Sequence, residues 1–368
     1  MGLRIVDRYI IFQFVKNLFF ALLCFILIFI LVDLFENLDK FLDNKLSFGS
    51  VAYYYLYFIP EIIRLISPIA VLLSTLFTAG SMINFNEIIA VKNAGVSLMR
   101  FMMPFILLGV IITGIAVYFN NWVVPDANKK KFFFERNYLG KNKPTEGLNR
   151  LYFQDSPNQL VIIDEFKEIE MTANRVSILK FNPDTATMLI ERIDAEKMKW
   201  ENNKWVLYNA TERNFAPTGE IMKSFTTILT DSLQNINKLY LIPEQITRKI
   251  WKPDEMNYTE LKEFVMSQLK GGQNADKLQV DFYSKMSFPF SNLIVIIFGL
   301  SISTGSKRRK GLALQFGISI LVSFVYLGFV KISQSFGYNG DLNPVFTAWL
   351  ANILFAAFGG INLYFRNY

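Results

Sequence analysis

Histidine is absent from the sequence, and cysteine occurs once, as Cys24. The lack of histidine excludes His-based acid–base catalysis, His-activated nucleophiles and the commonest protein metal ligand. A single cysteine excludes an internal disulfide framework. Neither the phosphate-binding pattern G-x-x-x-x-G-K-[ST] nor the nucleophile pattern G-x-S-x-G occurs. These absences predict a protein that is not an enzyme, with no catalytic residue, no metal site and no cofactor.

Apolar residues, by contrast, make up 52% of the chain, and Phe alone occupies 36 positions. They form six runs that are long enough to cross the roughly 30 Å hydrocarbon layer of a bilayer as helices. No run carries a central carboxylate of the kind that couples transport to protons or sodium, so energy for any transport is expected from a partner. The predicted spans are 10–32, 65–83 with a start near residue 51, 101–124, 286–304, 311–330 and 344–365.

The stretch between the third and fourth spans has a different composition, because charged residues and Asn become frequent and short apolar runs alternate with turn residues. Such runs predict β-strands. The tripeptide Glu201-Asn202-Asn203 separates two of them and predicts a hairpin with Trp200 and Trp205 on its arms.

We therefore predict an α-helical polytopic membrane protein with six transmembrane helices and an all-β domain inserted between spans three and four. An amphipathic helix at 257–270, ended by Gly271 and Gly272, closes the inserted domain. The predicted boundaries are 1–125 for the first three spans, 126–276 for the β domain and 277–368 for the last three spans.

Lys and Arg in the short loops predict the orientation. Arg4, Arg8 and the basic run 307–310 lie on one side, whereas the loop 33–45 on the other side is rich in acids. This asymmetry predicts both termini in the cytoplasm and the β domain outside it. The basic run is interpreted as a topology anchor and not as a nucleic-acid-binding surface, since no aromatic or groove-reading element accompanies it.

A short segment at 84–98 joins the second and third spans on the cytoplasmic side. Asn86 is suited to cap a helix that begins with Glu87, and Gly95 is suited to end it. Apolar side chains recur between them at roughly helical spacing, at Ile88, Ile89, Val91 and Ala94. Two helical turns cannot cross a bilayer. The segment is therefore either an interfacial connector or a coupling helix that docks into another protein.

Several fragments, in this order and spacing, resemble one family of membrane proteins. They are Val6-Asp7-Arg8-Tyr9, Asn86-Glu87-Ile88 through Ala94-Gly95, Trp122-Val123-Val124-Pro125, Arg136-Asn137-Tyr138, and Ser284-Lys285 through Pro289. Together with the layout of spans and β domain, they resemble the permease subunits of the lipopolysaccharide export system, the LptF/LptG family. The N-terminal Val-Asp-Arg-Tyr is more similar to the G-type subunit.

The resemblance implies an inner-membrane permease whose β domain is periplasmic and jelly-roll-like. Its implied partners are a second permease subunit (a paralogue or a second copy), a cytoplasmic ATPase dimer, a periplasmic bridge protein with a similar β domain, and lipopolysaccharide. ATP hydrolysis in the partner would drive the lipid from the outer leaflet of the inner membrane toward the bridge.

The resemblance also implies roles for individual residues. The ATPase-coupling residues would be Glu87, Ile88, Val91, Ala94 and Gly95. Lys40 and Arg136 would bind lipid phosphates through charge-assisted hydrogen bonds. Phe29, Phe35, Phe316, Ile320 and Phe324 would line a cleft for acyl chains, although packing or lipid contact explains each of them equally well.

The sequence departs from the family on the first span. Asp33 stands where relatives carry a Lys, and Glu36 follows one turn later. These acids are compatible with a bridging divalent cation or with a lipid that carries fewer phosphates. Lys40 can also pair with Glu36 at i, i+4 as an ordinary surface ion pair.

Two other functions stay open at this point. The first is the permease of a different ABC-type lipid or lipoprotein exporter, although those have four spans with the outer domain after the first. The second is a non-transporting membrane scaffold with a sensory β domain.

Overall fold

The computed structural model describes residues 5–85, 87, 90, 93, 95, 97–141, 151–168, 170–182, 188–216, 219–229, 239, 241–270, 275–304 and 312–366. The chain divides into two compact units. The helical unit comprises residues 1–141 and 252–368, and the β unit comprises residues 142–251.

Long helices dominate the helical unit, and six stretches are long and apolar enough to cross a membrane. These stretches are 5–43, 48–83, 99–138, 276–303, 314–338 and 344–362, which confirms the predicted six-helix membrane protein. Along the whole chain the helices are α1 Ile5–Asp43, α2 Phe48–Asn84, α3 Leu98–Tyr118, α4 Val124–Tyr138, α5 Pro243–Ile250 of the β unit, α6 Tyr258–Lys270, α7 Asp276–Ser287, α8 Ser291–Thr304, α9 Leu312–Tyr338 and α10 Pro344–Arg366.

Helix α2 is the centre of the helical unit, since α1, α4, α8 and α9 all pack against it. Apolar side chains from five helices pack against one another here, and this close packing stabilises the helical unit, since lipid would surround the same side chains with an equally apolar medium. The core contains Ile10 and Phe14 of α1, Leu72 and Leu76 of α2, Phe105 of α3, Ile296 of α8 and Val322 of α9. Helix α1, in contrast, leaves most of its apolar side chains exposed.

The third span continues beyond its predicted end. Instead of stopping at Pro125, the chain makes a π-helical turn at Phe119–Val123 and runs on as α4 to Tyr138. Pro125 directly follows the π-helical turn, so the N–H group that proline lacks falls where the backbone hydrogen-bond pattern of the helix already changes. Asn121 Nδ2 donates to the carbonyl of Val117 (2.8 Å), and Asn120 Nδ2 donates to the carbonyl of Lys285 (2.7 Å).

The β unit contains one six-stranded antiparallel sheet whose strands neighbour each other in sequence order. This confirms a β domain between the third and fourth spans, and the same unit also contains the short helix α5. The strands are β1 Leu151–Ser156, β2 Gln159–Lys167, β3 Thr172–Phe181, β4 Leu189–Glu201, β5 Lys204–Ala216 and β6 Gly219–Leu229.

The predicted hairpin is confirmed at the β4–β5 turn. Asn202 (φ 48°) and Asn203 (φ 61°) both adopt left-handed backbone conformations, as a two-residue type I′ turn requires. Trp200 pairs with Trp205 across the strands, and their ring centroids lie 4.9 Å apart. Trp205 is buried in the sheet's core and donates its indole N–H to the carbonyl of Leu241 (2.7 Å).

Candidate functional site

Within the predicted coupling segment 84–98, the structure describes four positions between residues 86 and 96. Glu87, Ala90 and Asn93 are helical, and Glu87 is partly exposed. Gly95 has a φ of 79°, the left-handed conformation that commonly follows the last turn of a helix. The other three predicted coupling residues, Ile88, Val91 and Ala94, lie outside the described residues. Glu87 thus has a partly exposed carboxylate, and its role as an ATPase contact stays a prediction.

Two polar contacts join the first turns of α1 to Glu87 in this segment and to Arg100 in the first turn of α3. The hydroxyl of Tyr9 donates to Glu87 Oε1 (3.3 Å). The carboxylate of Asp7, which is buried, accepts a hydrogen bond from Arg100 Nη2 (2.6 Å). Arg100 follows Ser97, whose hydroxyl caps α3 by accepting from the Arg100 backbone N–H. The sequence interpretation missed these contacts because they join residues 78 and 93 positions apart.

The predicted acyl-chain residues are all on the surface of the helical unit, with between 41% and 78% of each side chain exposed. Phe316, Ile320 and Phe324 are four residues apart and therefore lie on one face of α9. Phe29 and Phe35 are six residues apart on α1 and point about 120° away from each other. Helices α1 and α9 both pack against α2.

Lys40, one of the two predicted phosphate ligands, is exposed in the last turn of α1. Nearby, the hydroxyl of Tyr55 donates to Asp33 Oδ2 (3.0 Å), and Asn37 Nδ2 donates to the Asp33 carbonyl (2.8 Å). The described residues contain no group of three or more acidic, Cys or His side chains that could hold a metal ion. A bridging cation between Asp33 and Glu36 stays a prediction.

Arg136, the second predicted phosphate ligand, is in a buried ion pair. Its Nη1 donates to both carboxylate oxygens of Glu255 at 3.0 Å, and the side chains are 9% and 0% exposed. Glu255 also accepts the backbone N–H of Lys252 (3.0 Å). Because the guanidinium charge is neutralised inside the protein, a phosphate contact for Arg136 requires this pair to open.

Further charged residues surround this pair, and we call them the α2–α4 ion-pair cluster: Glu61, Arg64, Lys131, Glu135 and Asp254. Lys131 forms ion pairs with Glu61 and Glu135. Arg64 pairs with Asp254 (2.8 Å) and more distantly with Glu61 (3.8 Å). Burial favours the neutral acid at Asp254, but the charge of Arg64 and its hydrogen bond lower the pKa of Asp254 below its ordinary value.

Only one contact of the α2–α4 ion-pair cluster could be predicted from the sequence. The three-residue spacing of Glu61 and Arg64 predicts a pair across one helical turn, and the pair is present. The stronger partners Lys131 and Asp254 are far away along the chain, so no periodicity indicates them. The cluster fixes residues 253–255, a short 3₁₀ helix, against α4.

Comparison with known proteins shows which family this chain belongs to. A family model described as "Lipopolysaccharide export system permease LptF/LptG" matches residues 8–365. The chain is 23% identical over 342 residues to the lipopolysaccharide export system permease protein LptG of Escherichia coli K12, covering 90% of this chain and 89% of that protein. It is 18% identical over 304 residues to the protein of the same name from Haemophilus influenzae, covering 81% and 80%. The chain belongs to the LptF/LptG family of lipopolysaccharide export permeases.

Proposed function

We propose that this protein is a permease subunit of an ATP-driven lipopolysaccharide exporter in the bacterial inner membrane. It extracts the lipid from the outer leaflet and passes it to a periplasmic bridge of β domains. The family match over residues 8–365 carries this proposal. The six spans and the intervening β sheet support it, because a permease of this kind needs both a lipid-facing helical surface and a separate receiving domain.

In this proposal both termini and the segment 84–98 are cytoplasmic, and the β unit is periplasmic. The excess of Lys and Arg at residues 307–310 and at the N-terminus supports this orientation. The exposed apolar surfaces of α1 and α9 would face a second permease subunit across the lipid cleft.

Glu87 is proposed to bind a cytoplasmic ATPase subunit. A partly exposed carboxylate at the start of a short helix can pair with a basic side chain in a groove of the partner. We expect Glu87→Arg to abolish copurification of the ATPase, because the substitution places like charges together. Glu36→Arg makes the same change of charge at an exposed site in the C-terminal part of α1, far along the chain from Glu87. This variant should leave copurification of the ATPase intact. If Glu87→Arg retains the ATPase as well as Glu36→Arg does, the coupling role is wrong.

The exposed face of α9 is proposed to contact acyl chains. A photoreactive amino acid at Phe316 or Phe324 should crosslink lipopolysaccharide in cells, whereas the same amino acid at the buried Val322 of α9 should not. A scaffold protein would capture no glycolipid at any of the three positions. Equal capture at Val322 and Phe324 would mean that crosslinking does not report a cleft.

Lys40 is the better supported of the two phosphate ligands, because it is exposed while Arg136 is paired with Glu255. We expect Lys40→Ala to reduce crosslinking of lipopolysaccharide at Phe324 more than Lys45→Ala does. Lys45 follows α1 and is also exposed, so it controls for loss of one surface charge. Equal effects of the two substitutions would exclude a specific phosphate contact at Lys40.

A further inference from the structure

Helix α1 is joined to both sides of the segment that links α2 to α3. Tyr9 donates to Glu87, near the beginning of the segment, and Asp7 binds Arg100, just beyond its end. Tyr9 and Asp7 lie two residues apart in the first turns of α1. Tyr9 thus contacts the segment itself, whereas Asp7 contacts Arg100 in the first turn of α3. A displacement that moves the segment together with the start of α3 therefore acts on the first turns of α1 through two separate contacts.

The composition of α1 suits it to transmit such a displacement. Neither Gly nor Pro occurs between Ile5 and Asp43, whereas each of the other five candidate spans contains at least one of them. Kinks in helices occur mainly at Pro, at Gly and at π-helical turns. α2 contains Pro60 and Pro68, and the third span contains both Pro104 and a π-helical turn. α1 is thus the span with the fewest places at which movement could be absorbed.

The far end of α1 carries residues that the proposed function assigns to the lipid. Asp7 and Lys40 are separated by 33 positions, which corresponds to about 50 Å along an unbroken helix. Phe29 and Phe35 lie on the same helix, and both are exposed. The buried side chains of α1, among them Ile10 and Phe14, face the other helices, while most of its other apolar side chains are exposed.

We propose that Tyr9 and Asp7 are positioning residues that link α1 to the segment 84–98 and to the start of α3, and that α1 moves as one rigid helix and carries movement from this segment to the lipid cleft. This inference rests on the proposed function, because it assumes that an ATPase displaces the segment. The proposal assigns no ATPase contact to Asp7 or Tyr9 themselves.

The test uses the full permease complex with its ATPase, reconstituted in liposomes with lipopolysaccharide. Spin labels are attached at Asp39→Cys near the end of α1 and at Asn339→Cys after α9, in a Cys24→Ser background. Both positions are exposed, and Cys24 is the only native cysteine. The label–label distance should change on ATP binding in the otherwise unaltered protein.

In the variant Asp7→Asn with Tyr9→Phe, we expect the ATPase to remain bound and the ATP-dependent change in distance to be lost. Lipid released per ATP hydrolysed should fall by about fivefold or more, the lower end of a typical coupling between sites. Arg8→Gln, an exposed position in the same turn, should behave like the parent protein. With Tyr9 retained, the exchange Asp7→Arg with Arg100→Asp should keep both readouts, whereas Asp7→Arg alone should lose the ATP-dependent change in distance; retained ATPase binding in the variants separates loss of transmission from a folding defect.

The outcomes separate this inference from the proposed function. If no ATPase copurifies with the unaltered protein, the proposed function fails. If the ATPase binds and the labels still move in the double variant, only the inference is overturned. Loss of ATPase binding in the double variant also overturns it, because Asp7 and Tyr9 would then shape the docking site instead of transmitting movement.

Discussion

Replacing Arg136 with Ala tests the buried ion pair that fixes residues 253–255 to α4. Arg136 Nη1 lies 3.0 Å from both oxygens of Glu255, and the Glu255 side chain is fully buried. Truncation leaves the Glu255 carboxylate with the Lys252 backbone N–H but without its guanidinium partner. Removing one member of a buried ion pair is strongly destabilising.

The expected cost is about 3–5 kcal/mol, the usual range when one partner of a buried ion pair is removed. For a unit of this size, that corresponds to a fall in melting temperature of roughly 6 to 20 °C. Arg136→Met combined with Glu255→Gln should lose much less. The two substitutions together remove both charges, and the amide oxygen of the new Gln side chain can still accept the hydrogen bond from the Lys252 N–H.

The measurement is thermal unfolding of the detergent-purified protein, followed by intrinsic tryptophan fluorescence. Asp126→Ala is the matched control on α4, because it removes only the exposed partner of a surface pair with Lys129. Its cost should stay within about 1 kcal/mol. A melting temperature for Arg136→Ala within a degree or so of the control, with lower lipid crosslinking, would refute this reasoning and favour direct phosphate binding by Arg136.

Two further predictions concern other parts of the molecule. Burial raises the pKa of Glu191 from 4.5 to about 7. The hydrogen bond and the negative charge of Glu212 act in the same direction, whereas the charge of Lys180 opposes the shift. The folded β unit thus retains a proton that the unfolded chain releases, so its stability should fall as pH rises from about 4.5 to about 7 and then level off. Glu191→Gln should flatten this dependence in melting curves, and an unchanged slope would contradict the assignment. On α9, a Cβ at Gly337 would lie 2.6 Å from Thr347 Cγ2, whereas one at Gly328 would meet nothing within 4 Å. Gly337→Ala should therefore cost about 1–3 kcal/mol in thermal unfolding while Gly328→Ala does not; equal melting temperatures would exclude the clash.

The elements that the sequence predicted well are those encoded by local patterns. Six apolar runs predicted six helices, since a spanning helix must satisfy its own backbone hydrogen bonds within one segment. The hairpin at Asn202 and Asn203 was equally local, because few residues other than Asn and Gly accept positive φ at both central turn positions.

Long-range contacts were beyond the reach of these patterns. Arg64 and Asp254 are 190 residues apart, and Arg136 and Glu255 are 119 apart. An isolated Arg near a membrane boundary indicates an anion partner but not whether that anion is a lipid phosphate or a carboxylate of the same chain. For Arg136, the carboxylate of Glu255 occupies this position. The exposure of Glu87, Lys40 and the apolar face of α9 likewise became apparent only with the fold.

The π-helical turn at Phe119–Val123 has a consequence for how this protein tolerates insertions and deletions. One additional residue in a helix rotates everything after it by about 100°. Without the wide turn, Lys131 would be rotated by about 100° away from Glu61, with which it forms an ion pair. A single codon lost in this stretch would therefore be more harmful than many substitutions, because it would redirect every downstream charge on α4 at once.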